Sequence, residues 1–182
     1  SSGRLFTWGY NNYGQLGDNT FDNKSTPVAI CNSNSFEKIS GGNYHSMGID
    51  YNSKLWGWGY NDRGQLGINN ISITCKETPV SVYGNKNYVS VMCGDYYTIA
   101  LSNYQCWSWG NNNIGQLGDN TTIDRSTPVS VYGNHSFLRI YCKLNSSFGI
   151  DINGKLWVWG YHTINDLNGK QKYYSTPVAL LI

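Results

Sequence analysis

Three histidines, five cysteines and eleven acidic residues are the side chains of this 182-residue sequence with the most obvious capacity for chemistry. The histidines, His45, His135 and His162, lie far apart and lack metal-ligand spacing. Cys31, Cys75, Cys93, Cys106 and Cys142 form no Cys-x-x-Cys pair and are odd in number, which argues against a disulfide framework or a zinc site and for buried reduced thiols. Asp18-Asn19 with Asp22, and Asp119-Asn120 with Asp124, could suggest calcium. The loop glycine and the bidentate glutamate of a calcium loop are missing, so these residues read as loop formers. Neither a Gly-x-Ser-x-Gly elbow nor a phosphate-cradling Walker loop is present. No catalytic residue, metal or cofactor is therefore assigned. Any enzymatic role is restricted to nucleotide exchange achieved by binding.

The composition sets further bounds. Thirteen basic against eleven acidic residues give a net charge of +2, too little for direct nucleic-acid binding, which needs clustered cations to neutralise phosphates. No apolar run approaches the roughly 20 residues that span a bilayer as a helix, and no charged-then-apolar signal opens the chain. The Asn-x-Ser/Thr matches occur about as often as chance gives in so asparagine-rich a chain, so they do not argue for secretion. A cytoplasmic or nuclear location with no membrane partner is expected. Twenty-one Gly, seven Trp and fifteen Tyr point to an all-β chain.

The elements that must position any site emerge from an internal repeat. Trp-Gly begins at Trp8, Trp58, Trp109 and Trp159. Thr-Pro-Val begins at Thr26, Thr78, Thr127 and Thr176, and Gly-Gln-Leu-Gly at Gly14, Gly64 and Gly115. All three markers share one period of about 50 residues. Within each period the texture is that of strands. Leu55-Trp56-Gly57-Trp58, Cys106-Trp107-Ser108-Trp109 and Leu156-Trp157-Val158-Trp159 alternate with a period of two, and Leu5-Phe6-Thr7-Trp8 keeps the aromatic pair. Further strands are expected at Phe36–Ser40, His45–Asp50 and Pro79–Tyr83. Their counterparts are Tyr88–Met92, Tyr97–Ser102 and Pro128–Tyr132, then Phe137–Tyr141, Ser147–Asp151 and Pro177–Leu181. Asn153-Gly154, Asn52-Ser53 and Ser102-Asn103 occupy one hairpin slot that favours positive φ. Each Pro lacks a ladder donor and is expected at the first residue of an outer strand. Four short strands per 50 residues is the arithmetic of a propeller blade.

The pattern Leu-Trp-x-Trp-Gly-x-Asn-x-x-Gly-Gln-Leu-Gly, then Ser-Thr-Pro-Val, then Gly-Gly-x-x-His-Ser resembles the regulator of chromosome condensation repeat family over Leu5 to Ile182. The resemblance implies a β-propeller of four-stranded antiparallel blades, with seven blades in a closed ring. Here it implies an N-terminal half blade (5–35) and three blades (36–87, 88–136 and 137–182), with residues 1–4 an expression scar or linker. Asn165-Asp166-Leu167-Asn168 replaces Gly-Gln-Leu-Gly in the last copy, where a rebuilt connection is expected. An arc of this size leaves apolar faces and strand edges uncovered. Remaining blades of a longer chain, or else a second chain, are expected to cover them.

Loops joining the first and second strands of successive blades, Gly41–Tyr44, Gly94–Tyr96 and Lys143–Ser146, emerge on one rim. In family members that act as nucleotide exchange factors, acidic and polar residues of this rim contact the GTPase. By that likeness Asn43, Tyr44, Asp95, Tyr96 and Asn145 form the candidate partner-binding site, with the tyrosines as rigid contact area. The expected function is a protein–protein interaction platform. The alternatives are part of a guanine-nucleotide exchange factor for a Ran-like small GTPase, and a recruiting domain beside a ubiquitin ligase or kinase. A chromatin protein stays open as a partner. His45 in Gly-Gly-x-x-His-Ser is expected to pin a loop to its own blade. Light-sensing relatives carry a photoactive Trp in a Gly-Trp-Arg-His-Thr stretch. Gly42–Ser46, Gly94–Thr98 and Lys143–Ser147 hold no Trp, so the tryptophans here read as core packing.

Overall fold

The computed structural model describes residues 3–31, 35–71, 74–162 and 172–180. Ser1-Ser2 of the expected 1–4 scar or linker, the substituted segment Asn165–Asn168 and the end of the last strand at Leu181 lie outside the described residues. Fourteen strands and no helix occur among the described residues, so no helix there is long and apolar enough to cross a membrane. Strands β1 (Phe6–Gly9) and β2 (Lys24–Ala29) pair as a two-stranded sheet. Strands β3 (Phe36–Gly41), β4 (His45–Asp50), β5 (Leu55–Tyr60) and β6 (Cys75–Ser81) form an antiparallel meander. The same order recurs in β7 (Ser90–Cys93), β8 (Tyr97–Ser102), β9 (Gln105–Gly110) and β10 (Arg125–Ser130). It recurs again in β11 (Phe137–Lys143), β12 (Ser146–Asp151), β13 (Leu156–His162) and β14 (Lys172–Ala179). The fold is a partial β-propeller: half a blade followed by three whole ones.

Hairpin geometry follows from local side chains. Asp50 Oδ1 accepts from the amides of Asn52 and Lys54 at 2.8 and 3.0 Å, while Oδ2 accepts from Trp56 Nε1 at 2.9 Å. Asp151 does the same for Asn153, Lys155 and Trp157. One carboxylate thus closes the turn and fixes the ring of the next strand. Lys54 and Lys155 cover the outer faces of Trp56 and Trp157, with Nζ 4.6 and 4.9 Å from the ring centroids. In the remaining hairpin Asn103 and Tyr104 take φ of 49° and 62°, the handedness a two-residue turn demands.

The outer strands differ from the sequence expectation. They begin three to five residues before each Pro, at Lys24, Cys75, Arg125 and Lys172. The register of β5 with β6 jumps between Gly57↔Val80 and Gly59↔Lys76, so Pro79 lies where the ladder is interrupted. On an edge strand with a bulge, a missing N–H costs no ladder bond. Gly59 sits at this jump with φ of 97°, and a Cβ there would approach the Tyr44 carbonyl oxygen to 2.5 Å.

Blades are bolted together by the Gly-Gln-Leu-Gly turns. The Gln15 carbonyl accepts from Trp58 Nε1 and Ser46 Oγ of the next sheet, each at 2.9 Å. Gln65 repeats this with Trp109 Nε1 and Thr98 Oγ1, also at 2.9 Å. At Gln116 only Ser147 Oγ takes the role, at 2.8 Å, and Trp159 Nε1 has no partner. Asn11, Asn61 and Asn112 are fully buried and hold these turns from inside, their Oδ1 atoms accepting from Leu16, Leu66 and Leu117 amides. Between sheets, Met47, Ile49 and Leu66 pack against Tyr88, Val91 and Trp109, while Ile99 and Leu117 pack against Phe137 and Trp159. The inner tryptophans are therefore packing, with Trp58, Trp109 and Trp159 at most 1% exposed. Trp8, on the half blade, is 61% exposed.

Candidate functional site

The strand-connecting turns on one rim form a continuous row. Asn43 N–H donates to the Asp95 carbonyl at 3.3 Å, and Asp95 N–H donates to the Leu144 carbonyl at 3.0 Å. Each turn is also tied to its own blade. Tyr60 N–H donates to the Tyr44 carbonyl, Asn111 N–H to that of Tyr96 and Tyr161 N–H to that of Asn145, at 2.8–3.0 Å. The backbone thus holds equivalent residues of three blades at fixed spacing. All five residues expected at this rim lie on these turns. Asn43 is exposed, Tyr44, Asp95 and Tyr96 are half-buried, and the Asn145 Oδ1 accepts from Gln116 Nε2 at 3.4 Å. Burial pushes the Asp95 carboxyl above its ordinary range.

Two residues of the row, Tyr44 and Tyr96, belong to a cluster of rings that the sequence expectation did not include. Tyr44 and Tyr96 have centroids 6.0 Å apart. Tyr13, from the β1–β2 connection, stands 4.8 Å from Tyr44 and 4.7 Å from Tyr60. Tyr60 closes the set at 6.4 Å from both Tyr44 and Tyr96. These rings, with Asp62, Arg63 and Asn111, line a hollow of about 340 Å³. Asp62 accepts a hydrogen bond from the Tyr60 phenol, which with burial pushes that phenol up to about 12. Arg63 faces Asp62 at 3.8 Å and Asp124 at 3.4 Å. The repeat held a signal for these residues: Tyr60 follows Trp-Gly, while Tyr13 and Arg63 directly precede Gly-Gln-Leu-Gly. The same blade register that placed Tyr44 places them.

Other candidates are absorbed by the scaffold. His45 Nε2 lies 3.1 Å from Thr98 Oγ1, whose own proton goes to the Gln65 carbonyl. His45 therefore pins its blade to the next one rather than a loop to its own. The aspartates that hinted at calcium organise connections. Asp119 accepts from Thr121 and Asn112 and pairs with Arg125 at 2.8 Å, and Asp18 meets Asn11, Thr20 and Lys24 in the same way. No group of three His, Cys, Asp or Glu able to hold a metal occurs among the described residues.

A family model described as the regulator of chromosome condensation (RCC1) repeat matches residues 2–49, 52–101 and 105–142, and a second of the same description matches residues 36–65. The ultraviolet-B receptor UVR8 of Arabidopsis thaliana is 37% identical over 128 residues, covering 69% of this chain and 29% of the receptor. The human E3 ubiquitin-protein ligase HERC2 is 31% identical over 128 residues, covering 66% of this chain and 3% of the ligase. Among solved structures, Prp20p of Saccharomyces cerevisiae, described with its binding to Gsp1p and histones, superposes with a TM-score of 0.81 at 20% identity. That match covers 98% of this chain and 46% of Prp20p, so the chain spans less than half of each of these proteins.

Proposed function

The chain belongs to the regulator of chromosome condensation repeat family, and from that premise we propose that it is a protein–protein interaction platform whose partner lies across the rim of Asn43, Tyr44, Asp95, Tyr96 and Asn145. The observation that carries this reading is the backbone-linked row of turns with the tyrosine cluster it shares. It presents rigid aromatic and polar side chains from three successive blades at fixed spacing. Such a surface binds without reordering itself, which keeps the entropic cost of association low. Nothing in this role needs bond chemistry. Remaining blades of a longer chain, or else a second chain, cover the open faces of the arc, and the protein works in the nucleus or cytoplasm. The test is binding of candidate partners to the chain carrying Asp95→Ala or Asn145→Ala. Loss of binding at an unchanged melting temperature is expected. Unaltered binding by both variants refutes the rim.

A second reading is nucleotide exchange on a Ran-like small GTPase, favoured by the Asp95 slot and by Prp20p, which shares the fold and binds Gsp1p and histones. Exchange would come from holding the nucleotide-free GTPase more tightly than the loaded form. Release of a fluorescent guanine nucleotide from a Ran-like GTPase, unaccelerated by the protein, excludes it. A recruiting role beside a ubiquitin ligase, for which HERC2 is the likeness, uses the same surface and predicts binding without exchange.

A further inference from the structure

The hollow over the tyrosines has a definite chemical character. Tyr13, Tyr44, Tyr60 and Tyr96 form a network with neighbouring centroids 4.7–6.4 Å apart. That spacing leaves no room for a ligand between rings, so an occupant must rest on top of them. The rings are tilted to one another by 46–83°, and any ring face an occupant meets carries the negative lobe of the aromatic quadrupole. The edges are acidic. Asp62 lines the hollow and holds the Tyr60 phenol, and both Asp62 and Asp95 act on the Tyr96 phenol. Among the described residues Arg63 is the one cation lining the hollow, and it faces Asp62 at 3.8 Å and Asp124 at 3.4 Å. Asp62 therefore stands in the lining with Asp95 in electrostatic reach of Tyr96, while Asp124, outside the lining, holds Arg63 from behind.

Anions are repelled by this arrangement, and a neutral apolar segment would leave the carboxylates desolvated without return. An ammonium is compact and strongly hydrated, whereas a guanidinium is planar and weakly hydrated. It can stack on a ring while its edge donates to a carboxylate. We propose that this seat takes an arginine side chain from a protein partner, the guanidinium lying on the tyrosine rings with its N–H edge turned to Asp62. The assignment rests on the rim being the partner surface and names the kind of residue the partner must present there.

The test titrates the full 182-residue chain with acetyl-Gly-Gly-Arg-Gly-Gly amide and with its citrulline counterpart, which keeps the shape and removes the charge. Ring-labelled tyrosine resonances report binding by NMR. The arginine peptide is expected to give saturable shifts at the seat and to bind at least tenfold more tightly than the citrulline peptide. Asp62→Asn, at an exposed position, is expected to weaken it about tenfold, and raised salt to weaken it further. Tyr44→Phe keeps the ring and the affinity; Tyr44→Leu loses both. Absence of saturable shifts, equal affinity for the two peptides, or an Asp62→Asn variant that binds unchanged overturns the seat. A partner lost on Asp95→Ala while the arginine titration stays silent would remove the seat and leave the rim reading standing. A partner indifferent to the rim substitutions while the peptide binds would do the reverse.

Discussion

Acidification from pH 7 to pH 4 is expected to destabilise the protein by up to about 3 kcal/mol through His45 alone. The side chain is 1% exposed, and burial lowers its pKa from 6.5 to about 4. Thr98 Oγ1 gives its proton to Gln65, so it must accept from His45 Nε2–H, and the ring is the neutral Nε2 tautomer. Nδ1 has no partner, so a second proton would sit on a buried, unpaired cation. The unfolded chain takes up that proton near pH 6.5 and the folded chain only near 4. Stability is therefore complete above 6.5, falls as pH drops through the interval, and levels off below 4 as far as this residue is concerned. A gap of about 2.5 pKa units at 1.36 kcal/mol per unit gives the figure. Asp18, Asp119 and Asp151 have lowered pKa values, so their contributions are lost at still lower pH. The raised Asp95 acts in the opposite sense. The assay is urea denaturation from pH 7.5 to 4 for the protein and for His45→Gln, whose side chain does not titrate. The variant's curve should be flatter by up to about one proton. Parallel curves for the two proteins would refute both the burial argument and the tautomer.

The inter-blade bolt gives a paired prediction. Trp109→Phe and Trp159→Phe remove equally buried indoles, but only Trp109 donates to a carbonyl, at 2.9 Å. The first should cost about 1 kcal/mol more than the second in chemical denaturation, and equal losses would show that the Gln65 bond is worth nothing. Glycines supply another pair. Gly64 has φ of 79° and a Cβ there would lie 2.7 Å from Ser126 Cα of the next blade, whereas Gly84 has φ of 91° and open space around it. Gly84→Ala should cost about 1 kcal/mol for its backbone alone. Gly64→Ala should cost distinctly more, because neighbouring backbone must move; melting curves that rank them otherwise would contradict the contact.

Much of the architecture was legible because the repeat encodes it redundantly. Trp58, Trp109 and Trp159 mark the third strand of each blade, and Gly-Gln-Leu-Gly marks the turn that reaches the next one. A period of 50 residues fixes the blade without any knowledge of contacts. The starts of the outer strands are not legible, because a proline without a ladder donor reads as the first residue of its strand. In a strand with an interrupted register that restriction does not bind. At the site, the turns were legible from the repeat and the ring cluster was not. Tyr13 and Tyr60 lie 31 and 16 residues from Tyr44, on different segments of the repeat. Nothing local in sequence says that the first part of one connection meets the inner turn of the next blade. That meeting comes from the Gln15 carbonyl, which accepts from Ser46 Oγ and Trp58 Nε1, while the Tyr60 N–H to Tyr44 O bond brings Tyr60 to the same turn.

The copies can also be compared with one another, and the comparison separates scaffold from surface. Where a position bolts blades together, the residue recurs: Asn11, Asn61 and Asn112 inside the turns, and Gln15, Gln65 and Gln116 supplying carbonyls. Where a position faces the rim, it is not held constant over all the copies. Asn43 corresponds to Asp95 and Leu144, Tyr44 to Tyr96 and Asn145, and Tyr13 to Arg63 and Ile114. Rim positions have their backbone bonds satisfied within the row, so their side chains are free to vary without a folding cost. A closed partner surface needs that freedom, because identical blades would offer the same contact at every step and could not fix one orientation. The four-tyrosine cluster lies where the half blade meets the first two whole ones, and Asn111 lines its hollow on the far side. Under the arginine proposal, a partner side chain seated on this cluster is what sets the orientation of a partner lying across the rim.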